Sequence, residues 1–221
     1  MISIEKSLKT YPNHPTRAFL LELEDVLGKN GLNALLRIAG LQEWIDTYPA
    51  ENFERDVDLS DFSSLNAALD EIYGSKGSHA LARRASKSAF NLTWKQHGAL
   101  ENQQTADFDS LSAQARNKEG LAIFAEVLSS ASDLECEVQE ENNIIFFRVQ
   151  NCPFCWGRES SSPTCHGFVG LLEGCLQWLG SDMGFEVTEK ECSATGGDAC
   201  TFSITEEPEG QTLSTLEVNR R

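Results

Sequence analysis

The chain has 221 residues, a net charge of −16 and 40% apolar side chains, which suffices for one large domain or two small ones. Its 34 acidic side chains against 18 basic ones disfavour duplex nucleic acid and anionic membrane surfaces as partners. The longest strongly apolar run, Ile144 to Phe147, falls far short of the roughly 20 residues of a spanning helix, and Met1 to Lys6 lack a basic leader before an apolar core, so a cytoplasmic chain without a transmembrane segment is predicted.

Helical periodicity dominates the first 130 residues. Pro15 and Thr16 open a segment with Phe19, Leu20, Leu23, Val26 and Leu27 on one face. Gly28 and Gly31 interrupt it, and Leu32, Leu35, Leu36 and Ile38 continue on a second helix ending near Gly40. Trp44 and Ile45 anchor a further turn, and residues 51–60 read as an acidic loop. Leu65, Leu69 and Ile72 mark another helix ending at Gly74. A long helix is predicted over 78–96, with Leu81, Ala85, Ala89, Leu92 and Lys95 on one stripe and Phe90 and Trp94 beside it. Residues 98–118 are polar and read as a loop; Leu121, Phe124, Ala125 and Leu128 give the next helix.

The period changes at Leu134. Leu134, Cys136 and Val138 alternate with polar neighbours, Glu141-Asn142-Asn143 makes a turn, and Ile145, Phe147 and Val149 alternate again, which predicts a hairpin. A loop over 152–163, a helix carrying Phe168, Leu171, Leu172, Cys175 and Leu179, and strands around Phe185–Val187 and Thr201–Ile204 follow. The order predicts an α+β fold, an antiparallel sheet packed by helices. One domain spans 15–205, with a helical part over 15–130 and a Cys-rich α/β part over 134–205; residues 1–14 are an extension and 206–221 a loose tail.

Six of the seven cysteines fall between Cys152 and Cys200. An odd count in a chain without a secretory leader argues for free or metal-bound thiols over a disulfide frame. Cys192 and Cys200 flank a Gly196-Gly197 turn, Glu189 stands three residues ahead, and Cys152-Pro-Phe-Cys155 and Cys165-His166-Gly167 lie upstream. Such donors can satisfy a tetrahedral Zn²⁺. Buried, unliganded thiols are the competing reading, because cysteine packs as a small apolar group.

The C-terminal half resembles the 4-vinyl reductase, or hydrocarbon-binding, domain family. The resemblance rests on Cys165-His166-Gly167-Phe168-Val169-Gly170, Gly174, Glu189-Lys190-Glu191-Cys192 and Gly197-Asp198-Ala199-Cys200-Thr201-Phe202. Asn151-Cys152-Pro153-Phe154-Cys155 and the helix start at Gly77 to Ala85 also look like members of the family. It implies a fold similar to the nitric-oxide-signalling and Golgi-transport ligand-binding fold, which encloses an apolar pocket between helices and sheet. It further implies a structural zinc held by Cys165, Glu189, Cys192 and Cys200, with Cys152 and Cys155 as alternative ligands beside Cys192 and Cys200.

The implied function is binding of a small hydrophobic ligand, a tetrapyrrole or photosynthetic pigment intermediate or an aromatic hydrocarbon. Ala85 and Ala89 leave room for it; Phe90, Phe124, Phe146 and Trp178 line it, and Trp94 and His97 supply polar contacts. Of Phe146 and Phe147 only one can face the space, because adjacent strand residues point to opposite faces. A homodimer is expected by the same resemblance. No Gly-x-Gly-x-x-Gly, P-loop or Gly-x-Ser-x-Gly signature is present, so binding is favoured over catalysis. An enzyme or accessory factor of (bacterio)chlorophyll metabolism or photosystem assembly and a protein-interaction scaffold are the alternatives.

Overall fold

The structure, a computed structural model, describes residues 2, 4–94, 100, 108–181 and 184–206. A two-residue strand β1 (Thr10–Tyr11) leads into α1 (Asn13–Ala39). Gly28, at φ 69° and ψ 161°, breaks α1 into two helical pieces, and Gly40 closes it in the left-handed conformation. β2 (Val57–Asp58) pairs antiparallel with β1 inside the stretch expected to be loop. Two residues carry too little pattern to announce a strand. The Asp58 side chain then accepts a hydrogen bond from the Ser60 N–H and starts α2 (Leu59–Leu92), which Gly74 breaks at φ 65° and ψ 165°.

α3 (Ala113–Ala131) begins five residues earlier than the expected loop end, because Ser112 caps it by accepting from the Ala115 N–H. The hairpin follows as β3 (Glu135–Glu141) and β4 (Ile144–Gln150), turned at Asn142 and Asn143, both at positive φ. Then come α4 (His166–Trp178), β5 (Phe185–Glu191) and β6 (Cys200–Glu206). The sheet runs β3-β4-β6-β5 with every pairing antiparallel, so the α+β expectation holds.

One face of the sheet is apolar. Ile145, Phe147, Val149, Phe202 and Ile204 are buried there, and Phe168 of α4 stacks on Phe202 with centroids 5.0 Å apart. α2 crosses α4 on the far side, and α1 covers α2. The crossing is close because α4 presents glycines to α2: a Cβ on Gly170 would stand 2.0 Å from the Arg83 carbonyl oxygen, and one on Gly174 2.6 Å from the Phe90 Cβ. The apolar stripes of the helical half, Leu20, Leu23, Leu32, Leu35, Leu36, Leu65 and Leu69, are buried within the chain. Among the described residues no helix is long and apolar enough to cross a membrane.

Candidate metal centre and pocket

Local geometry brings five thiols to one point. Cys152 and Cys155 sit in the turn after β4, where the Cys155 N–H donates to the Cys152 carbonyl. Cys165 caps α4, and the N–H groups of Phe168 and Val169 donate to its carbonyl. Cys192 follows β5 and holds the Thr195 and Gly197 N–H groups on its carbonyl; Gly196 at φ 94° closes that turn. Cys200 opens β6, and Glu189 lies on β5 beside a register irregularity.

The sulfurs of Cys165 lie 3.5 Å from Cys152, 3.7 Å from Cys192 and 3.6 Å from Cys200, and those of Cys155 and Cys200 are 3.4 Å apart. Disulfides would need ~2.0 Å. A zinc tetrahedron with bonds of about 2.3 Å has sulfur–sulfur edges of about 3.8 Å, which these separations approach. Two sets have donor atoms all within 4.8 Å of one another: Cys152, Cys155, Cys165 and Cys200, and Cys165, Glu189, Cys192 and Cys200. The donor chemistry therefore fits a single metal ion in either set. Glu189 supports this further. Its Oε2 accepts from the Cys165 N–H at 2.8 Å, whereas its Oε1 is buried with no protein partner. A buried carboxylate oxygen without a donor is costly unless a cation meets it. Cys136 and the buried Cys175 lie outside both sets.

The electrostatics say the same. Burial, followed by the neighbouring Cys192, pushes the Glu189 carboxyl up to about 9. Burial pushes the Cys152 thiol up to about 12 and Cys165 well above the thiol range. Hydrogen bonds from Cys155 and Cys165 draw Cys192 down to about 6, and those from Cys152 and Cys155 draw Cys200 down further. Without a cation, the group holds protons on some donors and charge on others. At pH 7 the metal-free protein keeps Glu189, Cys152 and Cys165 protonated, and they must lose those protons to ligate. Zinc uptake is therefore expected to release protons and to tighten as pH rises. Calorimetric titrations in two buffers of different ionisation enthalpy check this; identical apparent heats would contradict it.

A cleft of about 520 Å³ leads to this centre, with Cys152, Cys155, Trp156, Arg158, Ser193 and Asp198 on its walls. It supplies an entry path on the Cys152/Cys155 side.

The expected pocket is present in place but not in size. Ala89 and Trp94 line a cavity of about 20 Å³ together with Ser86, Tyr11, Phe62 and Phe154. That is room for about one water. The remaining expected residues are distributed elsewhere. Ala85, Phe90 and Phe124 are buried in packed core, where Phe90 and Phe124 meet edge to face at 5.3 Å. Phe146 lies on the outer face of β4; Phe147 takes the inner position, because the register of β4 sets that parity. Trp178 is half-buried at the end of α4, packed against the core. His97 and Lys95 lie outside the described residues. The buried face of α2 is Ser78, Ala82, Ala85, Ser86, Ala89 and Phe90, not the stripe through Leu92, which is exposed. Tyr11, Phe62 and Ser86 carry no signal in the sequence: Tyr11 lies in the two-residue β1, and Ser86 reads as an ordinary polar helix residue. Burial holds the Tyr11 phenol above its ordinary range, while a hydrogen bond from Trp94 opposes that shift. Ser86 Oγ is buried with no partner. The cluster Arg83, Arg84 and Lys87 is on the rim of a surface groove, where Arg83 pairs with Glu173 of α4.

Residues 145–206 match the family profile of the 4-vinyl reductase domain. No curated protein matches the chain significantly. Solved structures of H-NOX proteins share the fold across most of the chain. One from S. oneidensis in the Fe(II)NO ligation state is 16% identical, covers 87% of this chain and 99% of its own, and superposes with a TM-score of 0.53. A Fe(II) unliganded H-NOX protein from K. algicida is 14% identical, with 89% and 97% covered and a TM-score of 0.53. The IWP-051-bound H-NOX from Shewanella woodyi in the Fe(II)CO state is 20% identical, with 92% and 97% covered and a TM-score of 0.52. The chain thus carries a 4-vinyl reductase domain over residues 145–206, set in a fold that it shares along most of its length with the H-NOX proteins.

Proposed function

We propose that the protein binds a small, mainly hydrophobic molecule between α1, α2 and α4, and that a structural zinc centre fixes the 4-vinyl reductase part against which that pocket forms. The observation that carries the ligand reading is Ser86. Its Oγ is buried, has no partner and lines an otherwise aromatic cavity. An apolar ligand with one polar atom would satisfy it. At about 20 Å³ the cavity is closed, so binding requires the aromatic walls to part. A compact aromatic or aliphatic molecule demands less movement than a tetrapyrrole, and a role in pigment metabolism rests on the family resemblance alone. The fold by itself assigns no chemistry.

Native mass spectrometry of the purified protein, with its visible spectrum, tests this. A bound organic mass is expected, lost or reduced in Ser86→Ala. A visible band would mark a pigment. A chain carrying metal and nothing else would remove the ligand reading. The scaffold reading would then lead, since α2 and α4 already pack at van der Waals contact through Gly170 and Gly174. A homodimer is supported by resemblance only, because the helical stripes that suggested it cover one another; light scattering at the mass of one 24.4 kDa chain would exclude it. Buried thiols at non-bonded distances support a reducing compartment such as the cytoplasm.

A further inference from the structure

The two ligand sets are not mere alternatives, because they share an edge. Cys165 and Cys200 belong to both, with sulfurs 3.6 Å apart. Cys152 and Cys155 complete one tetrahedron, and Glu189 and Cys192 complete the other. A single cation in the all-cysteine set leaves Cys192 and the orphaned Glu189 Oε1 buried without a counter-charge. A single cation in the mixed set leaves Cys152 and Cys155 likewise, 2% exposed and facing only other thiols and each other's backbone. Either choice strands donors that the fold has gathered, and buried ionisable groups without partners are costly.

We propose that the protein holds two divalent cations of the zinc type, bridged by the thiolates of Cys165 and Cys200. Cys152 and Cys155 complete the coordination of the first; Glu189 and Cys192 complete that of the second. This extends the single-centre reading above and rests on it. Each bridging thiolate uses two of its lone pairs, one per cation. Five thiolates and one carboxylate bring six negative charges against four positive, leaving a modest excess. Backbone donors offset part of it: the Ser193 N–H donates to the Cys200 sulfur at 3.4 Å, and Cys165 stands at the N-terminus of α4. Each cation displaces the protons its ligands carry. Soft sulfur donors in four-fold arrangement favour zinc over magnesium or calcium. Sulfurs as close as these surround individual ions; an iron–sulfur cluster, with inorganic sulfide between its irons, would hold its cysteines further apart.

Cobalt(II) titration of the metal-free full chain, followed by absorbance and electron paramagnetic resonance, tests the proposal, alongside zinc analysis of protein purified without added metal. Two zinc ions per chain are expected. Thiolate-to-cobalt bands should grow to two equivalents, and the resonance per cobalt should collapse at full loading, because bridging thiolates couple the two spins. The double variant Cys152→Ser/Cys155→Ser should bind one cobalt with a full, uncoupled signal. If that variant does not fold, the parent titration still decides. Saturation at one equivalent overturns the dinuclear centre and leaves the single zinc standing. Two cobalt ions with undiminished resonance overturn the thiolate bridges. No metal at all overturns both readings.

Discussion

Replacing Cys165 by serine is expected to strip metal from the protein and to lower its melting temperature by roughly 10 °C. Cys165 belongs to both donor sets, so this result does not depend on which set is occupied. Its position explains the size. Cys165 is fully buried and joins the start of α4 to the turn after β4, to β5 through Glu189 and to β6 through Cys200. A structural zinc contributes on the order of 10–16 kcal/mol of binding energy, and that energy is folding energy. Losing one ligand in four removes about 3–4 kcal/mol on that scale. Each kcal/mol moves the melting point of a chain this long by about 2–4 °C. Cys175→Ser is the control: Cys175 is as buried but outside both sets, so it should keep the parent's metal content. Metal analysis and thermal denaturation read both variants. A Cys165→Ser protein that keeps its metal and melts with the parent sinks the assignment.

The centre was legible in the sequence as a cluster but not as a partition. Spacing places Cys192 and Cys200 on one turn and Glu189 just before it. Yet it cannot tell which thiols complete a tetrahedron when tertiary packing brings five within reach. The helix breaks were legible because glycine alone reaches their φ without strain: Gly28, Gly40 and Gly74 stand where periodicity stops. The hairpin was legible because Asn142 and Asn143 tolerate the left-handed turn between two alternating runs. The parity of Phe146 and Phe147 was not, since a period of two fixes alternation but not which face is inside. Nor was the cavity size. Alanines on α2 suggest space for a ligand, whereas much of that space is taken by α4, which the matching glycines let approach. A stripe of small residues has both meanings until its partner is known.

The second large effect follows from that approach. Gly170→Ala is expected to destabilise the protein by about 2–3 kcal/mol, although alanine is the better helix former. Propensity favours the substitution by roughly 1 kcal/mol in an unobstructed helix. The contact opposes it. The new Cβ would stand 2.0 Å from the Arg83 oxygen, 2.7 Å from its carbonyl carbon and 2.9 Å from its Cα. These are backbone atoms of another helix, so no side-chain rotation relieves the clash, and α4 must shift bodily from α2. Overpacking of this kind costs about 1–3 kcal/mol and occasionally more, which outweighs the propensity gain. The shift would reach both sites. α4 carries Cys165 at its first turn and Leu171 on the cavity wall. Denaturant unfolding gives the sign directly, and a Gly170→Ala protein at or above the parent's stability would show that the two helices do not touch there. Because zinc holds the start of α4, the variant should keep its metal while losing stability. Retained metal with weaker packing would separate the role of the helix crossing from that of the thiol centre.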